Sequence, residues 1–223
     1  MERIGLEHGL WMYNDPAFPL GADAVQLAHF ASEWVRPGMH VCDAGCGTGA
    51  VMFLMAGACP EARFSGVEIR SDAGAMAMLA AVEQNLHICT HCADMRNLRD
   101  DPSFAPGSFD MVVSNPPYFP TNGGKLPADP GTRIARTEEC LTLDELCRAA
   151  ARLLRHHGSF CAVIPPARLP ELMALCTKYG MEPRTLAPVF PGAGEKPACM
   201  TLLRAVKGAR PGGFGIMPGY ALA

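Results

Sequence analysis

This 223-residue sequence has only two tryptophans, no apolar run approaching 18 residues and no surplus of positive charge. Without a long apolar run there is no candidate membrane-spanning helix. A formal charge of −3 and a pI near 6.2 exclude a global basic field, so any nucleic acid contact must use a local patch. Charged residues make up only 18%, against 49% hydrophobic, which excludes a disordered chain and leaves a well-filled globular one. Met1 to Leu10 carries Glu2, Glu7 and two glycines where a signal peptide would have its apolar core. The expectation is therefore a cytoplasmic protein that stays off the membrane and needs no obligate protein partner.

Cysteine is plentiful, with ten residues, yet Cys42, Cys89, Cys161 and Cys199 sit inside apolar runs of a chain much longer than disulfide-stapled domains. Free thiols in a reducing compartment are expected. Cys89-Thr90-His91-Cys92 has zinc-like spacing, but no second cysteine pair answers it, so no metal site is expected.

The length suits one sizeable domain. Residues 1–21, with Trp11, Tyr13, Asp15-Pro16 and Phe18-Pro19, read as an N-terminal arm or hairpin. Residues 22–223 read as one α/β domain. A helix from Ala22 precedes the short strand Met39 to Cys42. That strand runs into Asp43-Ala44-Gly45-Cys46-Gly47-Thr48-Gly49, and Ala50 to Ala58 has helical composition. A second strand from Arg63 ends at Glu68. The next expected elements are a helix over Ser71 to Gln84 capped by Ser71, a strand over Leu86 to Thr90, and then Asp94. A fourth strand, Phe109 to Val113, delivers Asn115. Thr142 to Glu145 opens a helix with a capping-box pattern that Gly158 closes after Arg155-His156-His157. Strands are expected at Phe160 to Ile164, Leu186 to Phe190 and Cys199 to Arg204, and a helix at Leu169 to Lys178. The Gly/Pro-rich tail from Lys207 has no readable pattern.

Two stretches carry chemistry. Glycines at the first strand's end let backbone approach a ligand closely, and Glu68 lies 19 positions after Gly49, near the roughly 20 that place an acid on a ribose in a βαβ unit. Asp43 would repel a pyrophosphate and suits a cation, such as the ammonium of a methionine-like group. That favours S-adenosylmethionine over NAD, although such glycines also simply turn strands into helices. Asp94 follows the third strand where it can meet the cofactor's base.

The second stretch is Ser114-Asn115-Pro116-Pro117-Tyr118-Phe119. Proline extends the residue before it and provides no N–H donor, so Asn115 stands beside acceptor carbonyls with an aromatic close behind. The set suits a planar group bearing NH2, or equally an ordinary strand-ending turn. A long polar loop follows, with Lys125, Arg133 and Arg136 as candidate RNA contacts. Arg148, Arg152 and Arg155 align on one face of the next helix as a solvated face or a further basic patch.

From Ala22 to Arg204 the chain resembles the class I S-adenosylmethionine-dependent methyltransferases, through Val41 to Gly49, Glu68, Asp94 and Asn115-Pro116-Pro117-Tyr118. The resemblance implies a Rossmann-like fold: a seven-stranded, mostly parallel sheet with the last strand antiparallel and helices on both faces. The Asn-Pro-Pro-Tyr signature implies methylation of an exocyclic or amide nitrogen. Phe18-x-Leu20-Gly21-Ala22-Asp23, Ala135-Arg136-Thr137-Glu138, Arg168-Leu169 and Lys207 to Pro218 are most like bacterial tRNA adenine-N6 methyltransferases acting on A37 of a valine tRNA. A protein glutamine N5-methyltransferase of the release-factor type and an rRNA guanine-N2 methyltransferase share the signature and are the alternatives.

By the same resemblance Asp43, Gly45, Gly47 and Gly49 hold the methionine part of the cofactor, Glu68 its ribose and Asp94 its adenine, with Asn115 at the cofactor's border. Asn115 and the Pro116 carbonyl accept the target amine's hydrogens and Tyr118 stacks on its base. Pro117, Phe119, Arg133 and Arg136 are placed on the substrate side, with tRNA as the expected partner.

Overall fold

The computed structural model describes residues 1–16, 19–116, 141–192 and 196–222. The chain opens with a hairpin in which β1 (Arg3–Gly5) and β2 (Trp11–Tyr13) pair antiparallel, Arg3 opposite Tyr13. Glu83 anchors it to the body, accepting from Arg3 and from the Tyr13 hydroxyl at 2.9 Å each. Helices α1 (Ala22–Ser32), α2 (Ala50–Ala58) and α3 (Ser71–Glu83) alternate with β3 (His40–Ala44), β4 (Arg63–Glu68) and β5 (Ile88–Cys92). Then come β6 (Phe109–Ser114), α4 (Leu143–Leu153), β7 (Leu154–Ile164), α5 (Leu169–Lys178), β8 (Met181–Phe190), β9 (Met200–Lys207) and the two-residue strands β10 (Gly215–Ile216) and β11 (Tyr220–Ala221).

The main sheet runs β10-β8-β9-β7-β6-β3-β4-β5, with β11 also on β8. Strands β3 to β7 pair in parallel, and β9 is antiparallel to both its neighbours. This is the Rossmann-like α/β fold expected from the sequence, with nine described strands in the main sheet where seven are expected. The additional two come from the tail, whose patternless residues pair with the edge strand β8 over two positions each.

Successive residues of each strand face opposite sides, and the two cores divide accordingly. Val41, Met111 and Cys161 join Leu27, Phe30, Met52 and Phe53 beneath α1 and α2. Cys42, Val112 and Ala162 join Leu146, Ala150 and Leu172 beneath α4 and α5. Phe30, Phe53, Phe104 and Phe160 are wholly buried, and truncating any one to alanine is worth about 3–5 kcal/mol.

Several boundaries depart from the sequence reading. Arg70, not Ser71, occupies the N-cap of α3, and no side chain caps it. The following strand starts at Ile88 because the helix closes in a left-handed turn. Asn85 has φ 52°, its N–H donates to the Val82 carbonyl, and Leu86 donates back to Ala81. Gly158 does not close α4: the helix, which has the expected Thr142–Glu145 capping box, ends at Leu153. Leu154 already pairs with Phe109, and the next matched pair is Met111 with Ser159, so Arg155 to Gly158 bulge from β7. Arg155 therefore leaves the face shared by Arg148 and Arg152 and pairs with Asp110. Strands β8 and β9 are also longer than expected, because both pair along most of their length.

Candidate active site

The chain builds β3, β4 and β5 outward in one direction, then returns to place β6 on the other side of β3. The order reverses between β3 and β6, and the crevice at the carboxyl ends of the strands beside such a point is where open α/β sheets bind ligands. Asp43 is the penultimate residue of β3, Glu68 ends β4, Asp94 follows β5 and Asn115 follows β6. With strands about 4.8 Å apart, four neighbouring strand ends present these groups in one row.

The loop after β3 is pinned by its own backbone: the Gly45 and Cys46 N–H groups both donate to the Val67 carbonyl, at 2.9 and 3.1 Å. Gly45 has φ +80°, and a Cβ there would meet nothing within 4 Å, so this left-handed turn borders open space. Gly49 has φ +90° for a different reason. A Cβ there would lie 2.8 Å from the Phe53 ring and 3.2 Å from Ala77, so the glycine lets α2 seat against α3.

Glu68 is 4% exposed. Its Oε2 accepts from the Gly47 N–H at 2.9 Å and its Oε1 from the Arg70 N–H at 2.8 Å. Burial raises its pKa, and those two backbone bonds oppose the shift. Asp43 is 1% exposed, and its Oδ2 has no hydrogen-bond partner. Burial, with the Glu68 charge adding to it, pushes the Asp43 carboxyl up to about 8. A buried carboxylate with an unmatched oxygen is costly unless a cation or donor meets it. The acid pair and the open side of Gly45 thus fit a ligand that brings an ammonium and hydroxyl donors, as S-adenosylmethionine does, and not a pyrophosphate.

Asp94 is differently disposed. It caps the short turn Met95–Asp100 through the Arg96 N–H at 2.9 Å, and the Arg96 guanidinium grips both its oxygens at 2.6–2.9 Å. The Arg96 side chain holds its carboxyl below the usual carboxylate range. A ligand amine at Asp94 would share that acid with Arg96.

At the end of β6 the buried Ser114 hydroxyl donates to the Ala44 carbonyl at 2.7 Å, locking the strand to β3. Asn115 next to it is partly buried and Pro116 is buried. The Asn115 amide donates through Nδ2 to Asp23 Oδ2 on α1 at 3.0 Å. A carboxylate accepts only, so this bond settles which end of the amide is the NH2 and turns the carbonyl the other way. Pro117, Tyr118, Phe119, Lys125, Arg133 and Arg136 lie outside the described residues.

Two features escape a reading of the sequence. Asp23, in the first turn of α1, looks like an ordinary helix-dipole acid, and nothing local ties it to an amide 92 positions later. Arg70, just past Glu68, reaches Asp15 of the N-terminal arm at 3.1 Å and Asp72 at 2.5 Å, drawing the arm to the Glu68 side of the crevice. The one available signal for Asp23 is its place in Leu20-Gly21-Ala22-Asp23. Among the described residues no three metal-ligating side chains gather, and no helix is long and apolar enough to cross a membrane.

Comparison with known proteins agrees with this geometry. A family profile described as "Methyltransferase domain" matches residues 41–123, from β3 into the stretch after Asn115. The tRNA1(Val) (adenine(37)-N6)-methyltransferase of Phocaeicola vulgatus is 34% identical over 173 residues, covering 76% of this chain and 70% of that protein. The enzyme of the same name from Tolumonas auensis is 30% identical over 195 residues, covering 86% and 78%. Among solved structures, a predicted O-methyltransferase from Agrobacterium tumefaciens superposes with a TM-score of 0.69 at 19% identity, covering 89% of this chain and 86% of its own. At this identity and coverage the likeness in sequence shows the family: this chain belongs to the tRNA1(Val) (adenine(37)-N6)-methyltransferases.

Proposed function

We propose that this chain transfers a methyl group from S-adenosylmethionine to the N6 amine of an adenine in tRNA. The observation that carries the reading is the Asn115 amide, fixed in direction by Asp23 and standing one strand from the unmatched Asp43 carboxylate. Asp43 and the Gly45–Gly49 loop would hold the amino-acid end of the cofactor, Glu68 its ribose hydroxyls and Asp94 its adenine. When bound, the cofactor supplies an electrophilic methyl on a positive sulfur.

An exocyclic amine is a poor nucleophile because its lone pair delocalises into the ring. The Asn115 carbonyl oxygen and the Pro116 carbonyl accept its two hydrogens, which favours a pyramidal nitrogen with the lone pair aimed along the crevice. Tyr118, with Pro117 and Phe119, would hold the base by its face, and Arg133 and Arg136 would take RNA phosphates. Formation of the nitrogen–carbon bond would be matched by release of the sulfur as a neutral thioether, and the surplus proton would leave the nitrogen for water. No strong base is needed, so positioning and electrostatics supply the rate.

The test is methyl transfer from labelled S-adenosylmethionine to separated tRNA, rRNA and protein fractions, followed by nucleoside analysis. N6-methyladenosine in tRNA is the expected product. Label confined to protein glutamine or to rRNA guanine would overturn the assignment.

A further inference from the structure

Five described arginines pair with carboxylates: Arg3 with Glu83, Arg70 with Asp15, Arg96 with Asp94, Arg155 with Asp110 and Arg168 with Glu171. Arg184, Arg204 and Arg210 are among those that do not. Among the described residues none of them has an ion-pair partner, yet all three line one cavity of about 760 Å³ together with His156 and His157, and no acid lines it. The cavity lies where β7 and β8 begin and β9 ends, at the sheet edge opposite Asp43, Glu68 and Asn115.

The cluster is built, not incidental. Arg204 stacks on the Trp34 ring at 3.8 Å from its centroid and donates to the Ser159 hydroxyl at 3.1 Å. Burial lowers the Arg204 pKa, and the charge of Arg184 acts in the same direction. Arg184 donates to the tail carbonyls of Arg210, at 2.7 Å, and Gly212, holding residues 210–212 as one wall. Glu182 accepts from the Gly212 N–H at 3.1 Å. The His156 and His157 rings lie 4.1 Å apart, tilted by 53°. Like charges gathered with no carboxylate between them favour an anion, and planar guanidinium forks match phosphate oxygens.

We propose that this cavity is a second RNA contact, binding phosphodiester groups of the tRNA body away from the reacting base. The inference rests on the tRNA reading given above. A chain of net charge −3 can hold RNA only through local basic patches, and this is one. Its volume exceeds what one phosphate requires and suits a nucleotide-sized segment. Contacts of this kind fix the register of a nucleic acid on a protein without reading its sequence.

The experiment compares the full-length protein with Arg210→Glu, whose exposed side chain carries no hydrogen bond of the fold, and with Arg184→Gln. Fluorescent tRNA is titrated between 50 and 200 mM salt, alongside AMP and inorganic phosphate as separate probes. Cofactor affinity and single-turnover rate at saturating tRNA are measured in parallel. Arg210→Glu is expected to weaken tRNA binding about ten-fold at low salt and to lower the slope of log Kd against log salt by about one. Cofactor affinity and the saturated rate should stay unchanged. If wild type methylates tRNA while both variants keep its affinity and salt slope, this inference alone fails. AMP or phosphate binding that the variants abolish, with tRNA affinity intact, would make a free small anion the occupant and also overturn it. A wild-type protein that neither binds nor methylates tRNA overturns the tRNA reading and this one with it.

Discussion

The two edges of the central sheet are electrostatic opposites. Where the parallel strands end, Asp43 and Glu68 are buried side by side, with one Asp43 oxygen unmatched; where they begin, Arg184, Arg204 and Arg210 gather without a carboxylate. The net charge of −3 averages over both and conceals each. Unmatched charge is expensive inside a fold, so the buried acids point to a cationic cofactor, while the more exposed guanidinium cluster opposite favours a polyanion through its geometry and like charge. On the function proposed above, the acidic edge would serve the chemical step and the cofactor, and the basic edge would serve RNA affinity without touching the chemistry.

The strongest challenge to that division is Asn115→Ala. Loss of a group aimed at the reacting nitrogen should lower the single-turnover rate by about 10²–10³-fold, by analogy with removing a single oxyanion-hole donor. Affinity for tRNA and for the cofactor should hardly move. Should the variant keep a near-wild-type rate and lose tRNA affinity instead, the acidic edge would be a binding surface and the contrast with the arginine edge would collapse.

Asp43→Asn sharpens the contrast through pH. An Asp carboxyl ordinarily titrates near 3.8, and burial followed by the Glu68 charge raises Asp43 to about 8. The folded, ligand-free protein thus holds this proton more tightly than the unfolded chain does. Its stability declines as pH rises from about 3.8 to about 8 and is not regained above that. The neutral amide removes the decline, so ligand-free Asp43→Asn should melt a few degrees above wild type at pH 8, while calorimetry finds cofactor binding strongly weakened. A variant that melts lower at pH 8 and still binds the cofactor would mean that Asp43 is matched within the fold.

The acidic edge was largely legible because its signals are local. A glycine-rich turn after a short strand, an acid about 20 residues on, and Asn-Pro-Pro after the fourth expected strand each sit within a few residues, and the regular alternation of strands and helices stacks them at one edge. The basic edge was illegible for the opposite reason. Arg184 and Arg204 stand singly within strand segments and announce no cluster, and the wall that closes the cavity comes from tail residues without periodicity. His156 and His157 were hidden by a false helix end: basic residues followed by Gly158 imitate a helix C-terminus, whereas Leu154 is already paired with Phe109. His157 has φ 62° within the bulge, which composition does not announce. Asp23 marks the same limit within the acidic edge, since its partner is 92 positions away.

Asp23 also provides the smallest and most discriminating perturbation. It holds the NH2 end of Asn115, and on the proposed function it would act as a positioning residue that keeps the Asn115 carbonyl turned toward the target amine. Asp23→Ala should lower the single-turnover rate at saturating tRNA about ten-fold, a loss of about 1.4 kcal/mol of transition-state stabilisation, with KM for tRNA unchanged. Asp23→Asn retains a carbonyl acceptor and should recover most of that rate. Gly21 gives an independent route to the same bond. Its backbone has ordinary angles, but a Cβ there would stand 2.2 Å from Asp23 Oδ1. Because that oxygen ends a flexible side chain, Gly21→Ala should displace the carboxylate from Asn115 without unfolding α1. The two substitutions together should be no worse than either alone, since both break one contact. Additive losses, or a fall in melting temperature that tracks the loss of rate, would make Asp23 merely a residue that stabilises the start of α1 and leave the direction of the Asn115 amide to other groups.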